Sequence, residues 1–119
     1  MNSENKAPYT IDDIRRKVTP IAKRYGVKRL SLFGSYARGE ADSESDVDFL
    51  IDRGQIRGIQ YFAFVVDLEE EFKCHVDVVT TGISDKLFLS EIKNDEVLLY
   101  AEEEGYKSYR TPENDWLLR

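Results

Sequence analysis

Cysteine is almost absent from this sequence, and its scarcity limits the class of protein. Among the 119 residues only Cys74 carries a thiol. Neither an internal disulfide nor a metal cage built of thiolates can therefore form. Proteins without disulfides suit reducing compartments, so the sequence predicts a cytoplasmic location.

Long apolar runs and an excess of positive charge are missing as well. No window approaches the roughly 18 consecutive apolar residues of a membrane span, and the polar opening MNSENKAPYT has no signal-peptide core. The net charge of −6 argues against direct nucleic-acid binding, which normally uses a basic patch. It does not exclude a nucleotide site, where metal ions can offset local negative charge.

The residues that are present suit one small α/β domain with a single core. Thr10 followed by Asp13 resembles a capping box, with Asp in place of Glu, before a helical pattern that is expected to stop at Gly26. Pro20 interrupts this pattern and predicts either a kink or the start of a second short helix. The remaining elements are predicted as strands at 27–34, 47–52 and 75–80, a helical turn in YARGE, helices at 58–72 and 83–94, and a fourth strand or helix extension at 96–101.

This order predicts a sheet of about four strands covered by helices. The domain is expected to span 10–100, between a flexible lead-in at 1–9 and an acidic segment with a C-terminal tail at 101–119. For the helix at 58–72, the spacing predicts a core face drawn from Ile59, Phe62, Val65, Val66, Leu68, Glu69 and Phe72.

Three aspartates occur among the apolar residues of the predicted strands. Asp46 and Asp48 point the same way, about 6.6 Å apart along the chain, while Val47 and Phe49 point to the helices. Asp77 can lie about 5 Å from one of them if its strand pairs beside theirs. Like charges at this distance repel, and the remedy is either protonation or a divalent cation. Oxygen ligands favour Mg²⁺ or Mn²⁺ over zinc.

A Gly-Ser pair lies where the first predicted strand ends. Gly34 allows the backbone to approach a phosphate closely, and free N–H groups at the start of the following turn attract anions. The hydroxyl of Ser35 can add a hydrogen bond. Together with the aspartates, this turn supplies both halves of a site for a metal–triphosphate complex.

The stretch GSYARGEADSESDVD resembles the signature of the polymerase-beta-like nucleotidyltransferases, Gly-Ser, ten residues, then Asp-x-Asp. Such a match arises by chance at on the order of one in 10⁵ positions. The form FGSYARGE and the short length are most similar to the minimal nucleotidyltransferases (MNT proteins). The resemblance covers roughly residues 10–100.

The resemblance implies a fold, a site and a partner. It implies a single nucleotidyltransferase domain with a mixed sheet, in which Asp46, Asp48 and Asp77 bind two Mg²⁺ ions and act in catalysis. Gly34 and Ser35 would hold the triphosphate of ATP. MNT proteins commonly act as antitoxins of HEPN ribonuclease toxins, and some transfer AMP to a toxin tyrosine. No HEPN signature occurs here, so the toxin would be a separate chain.

Other residues near the motif have two interpretations each. Arg38 either reaches a phosphate, as a further nucleotide-binding residue, or pairs with Glu40 or a nearby acid. Tyr36 either flanks the nucleotide or covers the core. His75 shares the face of Asp77 and either borders the site or is a plain surface residue.

Three functions therefore remain open on the sequence alone. The first is a protein adenylyltransferase antitoxin, the second a small-molecule transferase of the aminoglycoside type, and the third an antitoxin that acts by binding only. The second usually needs a further helical domain, for which this chain has little room. The apolar residues 116–118 either fold back onto the domain or anchor a partner.

Overall fold

The computed structural model describes residues 6–54, 56–82 and 85–102. Helices and strands alternate along this part of the chain, as the sequence predicts. The elements are α1 (Ile11–Tyr25), β1 (Arg29–Phe33), α2 (Gly34–Arg38), β2 (Val47–Asp52), α3 (Ile59–Phe72), β3 (Val76–Thr80), α4 (Lys86–Lys93) and β4 (Val97–Ala101).

Helix α1 begins and ends at the predicted signals. The side chain of Thr10 accepts a hydrogen bond from the backbone N–H of Asp13, and Asp13 accepts one from the N–H of Thr10, which completes the capping box. Gly26 ends the helix in the left-handed conformation, with φ of 75°. Pro20 lies inside one continuous helix, so there is no second helix in this segment.

The four strands form one mixed sheet in the order β3-β2-β1-β4. Strand β1 pairs antiparallel with both β2 and β4, whereas β2 and β3 are parallel. Helix α3 provides the crossover that parallel neighbours require. The 96–101 segment is therefore a strand rather than a helix extension, and the predicted mixed sheet of four strands is confirmed.

The core lies between the sheet and helices α1 and α3. Leu30 and Leu32 of β1 and Phe49 of β2 are fully buried there. Because side chains alternate along a strand, Ser31 of β1 and Asp48 of β2 project from the opposite face. Asp48 is thus kept out of the hydrophobic core by strand geometry.

The predicted core face of α3 is partly wrong. Ile59 and Phe62 are 82% and 68% exposed, whereas Phe64, which the pattern did not select, is fully buried with Leu68 and Phe72. Apolar residues occur all round the first half of this helix, so their spacing does not identify the buried side. The stripe at i, i+4 and i+8 is selected by packing against the sheet.

Residues 6–9, which the sequence assigned to the lead-in, contact the domain. The Tyr9 hydroxyl donates to the carbonyl of Phe72 at 2.7 Å, and the two rings pack edge to face. The predicted acidic segment and tail at 101–119 lie outside the described part of the chain, apart from Ala101 and Glu102. Within the described residues no helix has the length and apolar character to cross a bilayer.

Candidate active site

The sheet register brings two of the three predicted aspartates together. Asp48 of β2 is the direct partner of Asp77 of β3 in the parallel pairing, and Asp46 lies just before β2. The side chains of Asp48 and Asp77 share a hydrogen bond. The expectation that Asp77 lies beside the Asp-x-Asp pair is thereby confirmed in geometry.

Gly34 closes one side of this group of carboxylates. It adopts φ of 79°, a conformation that favours glycine, and a Cβ atom at this position would lie 2.2 Å from Oδ2 of Asp48. The backbone where β1 turns into α2 therefore packs directly on the carboxylate. Any larger residue here would displace Asp48, so glycine is required both by conformation and by contact.

Asp46 and Asp77 form a second group with His75. One ligand atom from each of these three exposed side chains lies within 4.8 Å of the others. The Nε2 atom of His75 is 2.9 Å from Oδ1 of Asp77, and its Nδ1 atom is 3.5 Å from Oε2 of Glu69. His75 thus borders the site rather than being a plain surface residue.

The crowding of carboxylates changes the acidity of Asp48. Burial, the hydrogen bond to Asp77 and the negative charges of Asp77 and Asp46 raise the pKa of Asp48 from 3.8 to about 6. The hydrogen bond and charge of Asp77 also raise the pKa of His75. Without a cation, Asp48 therefore holds a proton more tightly than an isolated aspartate does.

This donor set fits a divalent cation. Asp77 lies beside Asp48 in the paired strands and also groups with Asp46, which directly precedes β2, and a cation would replace the proton that relieves the repulsion between these acids. Oxygen-rich groups of this kind suit Mg²⁺ and Mn²⁺. Such an ion can polarise a phosphoryl oxygen and stabilise the charge that develops on a leaving group.

Two residues that follow the Gly-Ser turn, Arg38 and Tyr36, already have partners within the protein. Arg38 donates to Glu40 at 2.9 Å and to Asp95 at 3.3 Å. Both acids are solvent-exposed or nearly so, and exposed ion pairs exchange at little cost. Tyr36 is buried in the core, which raises its pKa to about 12, so it covers the core rather than flanking a ligand.

A cavity of about 260 Å³ lies on the same face of the sheet as Asp48. It includes Leu50, which is two residues further along β2, and the buried Ser31, whose hydroxyl donates to the carboxylate of Glu96. Its remaining walls are provided by Arg29, Asp52, Thr81 and Lys93. A ligand bound at the carboxylates therefore has room to extend along the sheet.

Sequence reasoning missed one member of this site. Glu69 was assigned to the core face of α3, but it is half-exposed and its carboxylate accepts from the N–H of Val76 at 3.5 Å, beside His75. No sequence signal identifies it, because it reaches the site only through the packing of α3 on β3. His75 could be predicted from the sequence, because it lies two residues before Asp77 and therefore on the same face of the strand.

The fold and the site together define a class of protein. A mixed sheet that brings an Asp-x-Asp pair, a third acid and a Gly-Ser turn together is the arrangement of nucleotidyltransferases. The profile of the family described as polymerase beta, nucleotidyltransferase matches residues 16–105. This chain belongs to that family and is a nucleotidyltransferase.

Relatives and solved structures agree with this assignment. The chain is 39% identical over 88 residues to a Methanocaldococcus jannaschii protein, provisionally named a protein adenylyltransferase, covering 73% of this chain and 95% of that one. It also resembles a crystal structure of a toxin–antitoxin with AMP-PNP, at a TM-score of 0.65, 15% identity and coverage of 87% and 94%.

A third likeness is to the structure of a tri-AMPylated HEPN toxin from Shewanella oneidensis in complex with MNT antitoxin. The TM-score is 0.62, the identity 13%, and the match covers 92% of this chain and 96% of the other. At these identities the two structural likenesses show the fold alone. The minimal nucleotidyltransferase fold predicted from the sequence is thereby confirmed.

Proposed function

We propose that this protein is a Mg²⁺-dependent adenylyltransferase that acts as an antitoxin. It transfers AMP from ATP to a hydroxyl group, that of a tyrosine, on a HEPN ribonuclease toxin, which is a separate chain in the same cytoplasm. The observation that carries this proposal is the pairing of Asp48 with Asp77 beside the Gly34 turn. The relatives and neighbours described above support the substrate and the partner.

The carboxylates have the central role in the proposed reaction. Asp46, Asp48 and Asp77 would hold two Mg²⁺ ions, which would supply charge stabilisation to the α-phosphate and to departing pyrophosphate. The acceptor oxygen bonds to the α-phosphorus while the bond to the bridging oxygen breaks, and pyrophosphate leaves with the bonding electrons. The acceptor proton passes to Asp77, our candidate general base, because it lies at the exposed side of the group.

The Gly-Ser turn positions the triphosphate in this proposal. The backbone at Gly34 allows close approach, and the hydroxyl of Ser35 donates to a phosphate oxygen. Arg38 exchanges its ion pair with Glu40 or Asp95 for a phosphate oxygen. This exchange is inexpensive, since both ion pairs are on the surface.

The decisive experiment incubates the protein with a HEPN protein encoded beside it, ATP and Mg²⁺, and weighs the HEPN protein intact. A gain of one or more AMP moieties, lost with Asp48→Asn, supports the proposal. A stable, inhibitory complex with no change in mass would contradict transfer and leave an antitoxin that acts by binding. No complex and no change in mass would contradict both functions.

A further inference from the structure

His75 is placed as a metal ligand would be, although it lies outside the Asp-x-Asp motif. Its Nε2 atom faces Oδ1 of Asp77 at 2.9 Å, and ligand atoms of His75, Asp77 and Asp46 all lie within 4.8 Å of one another. Atoms bound at about 2.1 Å to one octahedral ion lie about 3.0 Å apart when adjacent and about 4.2 Å apart when opposite, so these side chains need only a small adjustment to share an ion. The ring is exposed, so core packing does not explain its position.

Glu69 supports the opposite side of the imidazole ring. Its Oε2 atom lies 3.5 Å from Nδ1 of His75 and accepts from the backbone N–H of Val76 at the same distance. Histidine ligands in proteins commonly direct their second ring nitrogen to a carboxylate, which selects the tautomer and orients the ring. In the metal-free structure Nε2 is hydrogen-bonded to Asp77, so a bound ion would take the place of the Nε2 proton while Nδ1 keeps its proton on the side of Glu69.

We propose that Nε2 of His75 is a direct ligand of one divalent ion held by Asp46 and Asp77, and that Glu69 positions the ring. This inference rests on the proposed function, since it concerns the same metal site. A nitrogen ligand changes the preference among ions: Mg²⁺ favours oxygen, whereas Mn²⁺ and later transition ions accept imidazole readily. The ion position that includes His75 therefore binds Mn²⁺ more tightly than it would without the imidazole, while Mg²⁺ can still occupy the carboxylates.

The test compares the affinity of the wild type and His75→Asn for Mn²⁺ and for Mg²⁺, each alone, by titration calorimetry, with circular dichroism as the check of folding. Loss of the ligand is expected to weaken Mn²⁺ binding about tenfold or more, while Mg²⁺ affinity changes less than about twofold. Glu69→Gln is expected to weaken Mn²⁺ by about tenfold. Glu70→Gln, with the same charge change at the next, exposed residue of α3, is the matched control and is expected to bind normally.

A second measurement uses the fact that His75 is the only histidine in the chain. Its ring nitrogens give one unambiguous set of ¹⁵N resonances. Titration with Zn²⁺, a diamagnetic probe, is expected to shift Nε2 as a metal-bound nitrogen while Nδ1 keeps its proton. Saturation with Zn²⁺ while Nε2 remains protonated would overturn the proposal, and so would equal losses of Mn²⁺ and Mg²⁺ affinity in His75→Asn.

The outcomes separate this inference from the proposed function. A wild type that binds neither Mn²⁺ nor Mg²⁺ would contradict both. A wild type that binds both ions, with an affinity ratio that His75→Asn leaves unchanged, would contradict only the role of His75. Equal weakening of both ions would make His75 a positioning residue for Asp77, which also overturns direct ligation.

Discussion

Replacing Asp48 by asparagine is expected to stabilise the fold while it abolishes AMP transfer. The substitution retains the shape of the side chain, and its amide can still donate to Asp77. It removes one of three negative charges at the paired strands. Removing this charge relieves both the cost of desolvating the half-buried carboxylate and its repulsion from the other acids. Asp48 therefore serves the proposed reaction at the expense of the stability of the metal-free fold.

The magnitude follows from the raised pKa of Asp48. A shift from 3.8 to about 6 corresponds to about 3 kcal/mol, at about 1.36 kcal/mol per pH unit. Because the carboxylate is half exposed, solvent screening reduces the effect to about 1.5 kcal/mol. For a domain of this size, that gain raises Tm by about 5 °C.

The stability difference between the wild type and Asp48→Asn is expected to depend on pH. A group whose pKa is raised on folding contributes its full stability below its ordinary pKa, and this contribution is lost as the pH rises through the folded value. The wild type is thus expected to lose stability relative to Asp48→Asn between pH 4 and about pH 6. Above that range the difference between the two proteins stays constant.

The assay is thermal denaturation of both proteins from pH 4 to pH 8 in the presence of a chelator. Asp52→Asn is the control, since Asp52 lies on the same face of β2 but accepts a hydrogen bond from Gly54 instead of sharing one with another acid. The control, which leaves the Asp48–Asp77 pair intact, is expected not to reproduce the gain in Tm of Asp48→Asn. The electrostatic reasoning is wrong if Asp48→Asn is less stable than the wild type at pH 8. It is also wrong if the variant's gain in Tm over the wild type is as large at pH 4 as at pH 8.

Gly34→Ala and Gly39→Ala are each expected to lose about 1 kcal/mol of stability from their positive φ, measured by denaturant unfolding. Only the first should also lose AMP transfer, because its Cβ meets Asp48 whereas the space at Gly39 is open; equal activities would refute the contact. Ser35→Ala is expected to raise the KM for ATP about tenfold in steady-state kinetics with little change in Tm, and an unchanged KM would remove Ser35 from the phosphate site. Thr10→Ala should destabilise the fold by about 1 kcal/mol through loss of the capping box, with kinetics unaffected; unchanged stability would contradict this value.

Much of the local structure could be predicted because its causes lie within a few residues. The capping box of Thr10 and Asp13 and the left-handed Gly26 define both ends of α1. The spacing from Gly34 to Asp48 indicates the family before any contact is known. Strand alternation correctly directs Asp48 away from the core. These inferences need only backbone preferences and the two-residue period of a strand.

Other features depend on residues far apart in the chain. Which side of α3 is buried was predicted incorrectly for Ile59 and Phe62, because apolar residues occur all round that part of the helix. The approach of Glu69 to His75 follows from how α3 lies on β3. When several faces of a helix are equally apolar, the spacing of its apolar residues does not determine which face is buried or where the helix packs on the sheet.

The sequence by itself determined the order of the elements, the ends of α1 and the presence of a Gly-Ser turn followed by Asp-x-Asp. The tertiary structure decided that β2 and β3 run parallel in the register that pairs Asp48 with Asp77, and that His75 and Glu69 join them. The physical reason is the range of the forces involved. Capping and turn formation act between near neighbours, whereas strand register and helix orientation are selected by the burial of apolar surface from the whole chain.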